Sequence, residues 1–190
     1  MIRLLWTEID LDVIAQNMQI IRKMAKSKEV AAVIKADAYG HGSVTLAKTL
    51  LENGADRLAV ARLDEGLELR HQGIIAPIFI LGYTNPVRAS EAIAYGIDVC
   101  IFDYEQARLF SEEAVKQQSE VVFHIAIDSG MQRIGYQPTK EAVEEIVKKD
   151  ADYIFVSCSF PYSPTLPMIC EAAAQSSIVF SQNEKPQIGF

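Results

Sequence analysis

Cysteine is scarce in this chain. Three residues, Cys100, Cys158 and Cys170, stand in 190. The odd count and the absence of metal-ligand spacing argue against a disulfide framework and a cysteine-based metal centre; no metal is expected. They fit reduced thiols in a cytoplasmic protein. Positive charge is also in short supply, with 18 Lys and Arg against 25 Asp and Glu and a net charge of −7. No basic cluster offsets that balance, which argues against nucleic acid as a partner. The N-terminus lacks a long apolar signal region, and no apolar run is long enough to cross a bilayer, so no membrane role is expected. What is present is an ordinary soluble composition, 49% hydrophobic and 23% charged, long enough for one sizeable core.

Apolar β-type runs recur at 30–34, 58–61, 77–81, 98–102, 121–127 and 153–156, and residues 1–9 read as a further short strand. Asp10 or Asp12 is placed to cap the helix that follows, where Ile14, Met18, Ile21 and Met24 recur at helical spacing. Amphipathic helical stretches at 43–53, 64–72, 86–95, 104–117 and 139–149 separate the apolar runs. Gly54, Gly73 and Gly96 each follow a helix end, where a left-handed residue is favoured. Continuous apolar strands alternating with helices predict an α/β fold with a parallel sheet buried on both faces. About six strands suit either a doubly wound sheet or most of an eight-stranded barrel, and alternation alone does not choose. After Val156 the texture changes to prolines, an alanine cluster and little periodicity, so 157–190 is expected to be a poorly structured tail.

Two glycine-bracketed loops present isolated charges. The run 30–34 ends on Lys35, followed by Ala36-Asp37-Ala38-Tyr39-Gly40-His41-Gly42. Four small residues leave room for a ligand near the backbone, and a partly desolvated lysine amine readily forms a Schiff base. A generic lysine at a strand end is merely solvated; it is this setting that favours chemistry. Tyr39 offers a hydroxyl, and His41 reads more simply as a turn residue. The second loop, Asp128-Ser129-Gly130-Met131-Gln132-Arg133-Ile134-Gly135, follows the strongest strand and presents Arg133, either a plain surface charge or a contact for an anionic or phenolic oxygen. In a parallel barrel, loops that follow strand C-termini share one face. Asp64 and Glu65 open a helix, where carboxylates favour the helix dipole. Cys100 reads as packing.

At these residues the chain resembles the alanine racemase family of pyridoxal-phosphate enzymes. Four blocks carry the resemblance: Trp6-Thr7-Glu8-Ile9-Asp10, the Lys35 loop, Asp64-Glu65-Gly66 through Leu69-Arg70, and Asp128 through Gly135. The Lys-Ala-Asp-Ala-Tyr-Gly-His-Gly block is the most specific. The resemblance implies a parallel (β/α)8 TIM-type barrel, here incomplete, over 1–156, and a C-terminal β domain that is absent. It implies pyridoxal 5'-phosphate held covalently by Lys35, which would also act as one of two proton-transfer bases. Tyr39 would hydrogen-bond the phosphate, Arg133 would face the phenolic oxygen of the cofactor ring, and Arg133 and Met131 would touch substrate. Alanine would exchange between L and D forms, supplying D-alanine for cell wall, and the family works as a homodimer.

Three departures accompany the resemblance. Ala126 stands where many members carry a lysine, Ser159-Phe160-Pro161 replaces a Thr-His-Phe segment, and the last strands and the second base have no counterpart. The isolated chain is therefore expected to be weak or inactive in racemisation. The alternatives are a serine or broader amino-acid racemase and a non-enzymatic pyridoxal-phosphate-binding remnant.

Overall fold

The computed structural model describes residues 7–25, 29–128, 130, 132–137, 139 and 141–142, together with the strand at 155–158. Its contacts gather into two compact units, Met1–Ile78 and Phe79–Phe190.

In the first unit, α1 (Leu11–Met24) begins where Asp10 accepts hydrogen bonds from Asp12 N at 3.0 Å and Val13 N at 3.1 Å. Met18 is its buried residue. The helix packs on α3 (Ser43–Glu52), joined by Gln19 to Asn53 at 2.7 Å and by Arg22 to Asp56 at 3.0 Å. Strand β1 (Ala31–Val33) pairs in parallel with β2 (Arg57–Val60), Val33 opposite Ala59. Leu58, Ala59 and Val60 of β2 are completely buried, whereas Val33 of β1 is 42% exposed. The expected burial on both faces therefore holds for β2 and not for β1, which pairs with β2 alone among the described residues. Between β1 and α3 lies α2 (Lys35–Gly40), a single turn, and after β2 comes α4 (Leu63–His71).

Strand β3 (Ile78–Ile80) runs across the boundary between the units. In the second unit the expected 86–95 helix divides into a 3-10 turn (Pro86–Arg88) and α5 (Ala89–Ala94). Strand β4 (Ile97–Ile101) pairs in parallel with β5 (Phe123–Ile127), and β5 with β6 (Phe155–Cys158). Helix α6 (Tyr104–Gln117) has the predicted ends, because Asp103 accepts from Gln106 N at 2.7 Å and caps it. Phe110 of α6, fully buried, meets Phe123 edge-on at 6.4 Å. His124 is 2% exposed, stacks on Phe79 at 4.5 Å and lies 3.2 Å from Asp98.

All six expected strands match the observed ones within two residues at each end; β6 is offset by two residues and runs past the expected boundary at 156. Gly54, Gly73 and Gly96 all have positive φ, as their places at helix ends require. Of the strand expected over 1–9, residues 1–6 lie outside the described residues and Thr7–Ile9 form no regular element. The helix expected over 139–149 is seen only at Glu141 and Ala142, and the tail beyond 158 lies outside the described residues.

Candidate functional site

Lys35 sits where β1 ends, half-buried, at the start of α2. The turn that follows is left-handed. Ala36, Asp37, Ala38 and Tyr39 have φ between 51° and 56° and ψ between 33° and 51°. Four successive non-glycine residues in this region cost about 1–2 kcal/mol each, because Cβ crowds the following carbonyl oxygen. Such a conformation persists only where its surroundings over-determine it. Here Ala38 N donates to Ile34 O at 2.9 Å and Gly42 N to Asp37 O at 3.0 Å. The Asp37 carboxylate accepts from Ser43 N at 2.7 Å and so caps α3, whose own N-cap residue is a glycine. His41 Nδ1 donates to Ala38 O at 2.9 Å, which makes it the turn residue the sequence suggested. Ala38 is buried beneath the turn.

Glu65, on α4, reaches the same turn. Its carboxylate accepts from Ala36 N at 2.9 Å, Ala61 N at 2.7 Å and Arg62 N at 3.2 Å. Sequence reasoning gave this residue only a helix-dipole role. The one available signal was its place at the third position of a helix, where a carboxylate commonly folds back on the preceding backbone. Lys35 and Tyr39 thus share one rigid turn. Among the described residues no hydrogen bond or ion pair engages the Lys35 amine or the Tyr39 hydroxyl, and Tyr39 is 60% exposed.

Arg133 belongs to the second unit, in the loop after β5. Asp128, 8% exposed, accepts from Gly130 N at 3.0 Å and Gln132 N at 2.9 Å. The loop then folds back on its strand: Asp128 N donates to Tyr136 O at 2.8 Å and Tyr136 N to Ala126 O at 2.9 Å. Gly135 lies against that closure with φ +130°. Arg133 is exposed, and no hydrogen bond or ion pair engages its guanidinium among the described residues. Met131 lies outside the described residues.

A half-buried lysine whose amine has no hydrogen-bond or ion-pair partner among the described residues, on one hydrogen-bonded turn with an exposed phenol, is a donor set that suits an aldehyde bearing a phosphate. The amine can condense with the carbonyl carbon, and the phenol can donate to an anionic oxygen.

Comparison with known proteins places the chain in a family. The family described as "Alanine racemase, N-terminal domain" matches residues 9–158. Alanine racemase 1 of Clostridium acetobutylicum is 52% identical over 147 residues, covering 77% of this chain and 38% of its own length. The solved alanine racemase of Clostridium difficile 630 superposes with a TM-score of 0.67 at 38% identity, over 77% of this chain and 38% of that one. A histidine racemase from Leuconostoc mesenteroides subsp. sake superposes with a TM-score of 0.70 at 26% identity, over 93% of this chain and 49% of that one. The chain thus spans well under half the length of the two alanine racemases.

Proposed function

The chain belongs to the family of alanine racemase N-terminal domains, and from that premise we propose that it supplies the cofactor-holding lysine of a pyridoxal-phosphate-dependent alanine racemase. Its parallel β/α alternation is part of a TIM-type barrel, as the sequence resemblance implies. The observation that carries the functional reading is the amine of Lys35, half-buried at the start of the left-handed turn and without a hydrogen-bond or ion-pair partner among the described residues. When bound, pyridoxal phosphate supplies an electron sink for the charge left as the α-proton of an amino acid departs.

The chain's own residues do the rest in this reading. Lys35 Nζ would hold the cofactor covalently and, once the amine of the incoming amino acid has displaced it, the freed amine would take or return the α-proton on one face of the substrate. The Tyr39 hydroxyl donates to a phosphate oxygen. Arg133 would contact the ring's phenolic oxygen, and Met131 would touch substrate, as the family resemblance implies. Alanine is the proposed substrate, D-alanine for cell wall the proposed product, and a cytoplasmic homodimer the proposed assembly. The likeness to a histidine racemase over 93% of the chain favours a second reading, in which the same half-site serves another amino acid.

Incubation with pyridoxal phosphate, borohydride reduction and peptide mass mapping test the reading. One adduct is expected, on Lys35, and Lys35→Ala should abolish it. Label scattered over surface lysines, or none, would overturn the assignment.

A further inference from the structure

Glu65 makes more bonds than a helix start requires. A carboxylate at the third position of a helix ordinarily accepts one N–H, that of the N-cap residue. Here that bond runs from Arg62 N to Oε2. The same oxygen also accepts from Ala61 N, just past the end of β2. The other oxygen, Oε1, accepts from Ala36 N. Ala36 N belongs to the peptide that joins Lys35 to the left-handed turn. One side chain therefore ties the ends of two neighbouring strands together at the residue next to the amine.

We propose that Glu65 is a positioning residue for Lys35, whose carboxylate locks the Lys35–Ala36 peptide and so sets the direction in which the lysine leaves β1. The charge matters because a hydrogen bond to an ionised acceptor is roughly twice as strong as a neutral one. Two acceptor oxygens matter more, since N–H groups approach from both sides. A carboxamide has a single acceptor oxygen, and its NH2 end only donates. In Glu65→Gln that oxygen would turn to the paired donors of Ala61 and Arg62 and leave Ala36 N facing an NH2 group. An ordinary helix cap accepts glutamine at this position. The isosteric change therefore separates a cap from a clamp.

The experiment measures amide exchange across 36–40 and the yield of the reduced Lys35 adduct at limiting pyridoxal phosphate, in wild type, E65Q and D64N. D64N removes the same charge from the same helical turn and leaves the three Glu65 bonds in place. E65Q is expected to speed exchange in the turn by about tenfold to a hundredfold, the loss of one charged hydrogen bond, with the later amides of α4 unchanged. Its adduct yield should fall by about tenfold on the same basis, and D64N should match wild type in both readouts. The adduct readout rests on the function proposed for Lys35; the exchange readout does not. No adduct in wild type would sink that function while exchange still decides the clamp. Wild-type exchange in the turn of E65Q overturns the proposal. Should E65Q fail to fold, E65D decides in the same way, because it keeps a first-turn carboxylate that is one methylene too short to reach both backbones.

Discussion

Replacing Gly135 with alanine should open the loop that carries Arg133. Gly135 has φ +130°, and a Cβ there would lie 2.6 Å from Asp128 N and 2.9 Å from Ile127 C. Both are backbone atoms of the strand end, so no rotamer change relieves the overlap. An L residue in this region carries strain of about 1–3 kcal/mol. Moving the loop off the strand also breaks Asp128 N to Tyr136 O and Tyr136 N to Ala126 O, each worth about 1 kcal/mol net. Gly130 isolates the strain alone. Its φ is +126°, and nothing stands within 4 Å of the same atom. Gly135→Ala should therefore exceed Gly130→Ala by about 2 kcal/mol, close to thirtyfold in the opening equilibrium. Amide exchange at Asp128 and Tyr136 reads that opening. If G135A exchanges there no faster than G130A, backbone closure at Gly135 is not what holds the loop.

Cys100 is buried in β4, and burial pushes its thiol up from 9.0 to about 11. A thiol reagent at neutral pH should modify it only after unfolding, as peptide mapping of native and denatured protein will show. Because the unfolded chain releases this proton first, the native state keeps its advantage below about pH 9 and loses about 2–3 kcal/mol as pH rises to about 11, relative to Cys100→Ala in denaturant titrations. Asp128→Ala removes the acceptor of two loop amides and should cost about 1–3 kcal/mol in the same titration. Asp128→Asn, which keeps an acceptor oxygen, should cost less, and equal losses would argue that charge rather than hydrogen bonding matters.

The elements were legible because each is written locally. Helix α6 starts and ends where predicted, since its cap, Asp103, and its apolar spacing are in the sequence itself. The 86–95 helix opens with Pro86 at its first position, where proline is tolerated, and its first turn is 3-10 before α5 continues. The left-handed turn at 36–39 was not legible. It contains two alanines and no glycine, and alanine is the best right-handed helix former. Its bonds reach beyond the turn itself, from Ala36 to Glu65, 29 residues away, and from Asp37 forward to Ser43. The Asp128 anchor was closer to view, since an aspartate two residues before a glycine is a common start to an Asx turn.

Both loops solve the same electrostatic problem. Each holds a cation within a few residues of a carboxylate or of a backbone group bound to one: Lys35 is two residues from Asp37 and next to Ala36, whose N–H Glu65 accepts, and Arg133 follows Asp128 by five residues. An ion pair would be the simplest end for any of these charges, and it would leave no cation for a ligand. Instead the carboxylates accept backbone N–H groups, three at Glu65, one at Asp37 and two at Asp128. Those bonds hold the loops in shape and occupy the anions in one arrangement. Lys35 and Arg133 are left without ion pairs among the described residues. Removing a carboxylate from either loop should therefore loosen the backbone before it changes the charge that Lys35 or Arg133 presents. That ordering makes exchange rates, rather than salt dependence, the sensitive measure of how these loops prepare for a ligand.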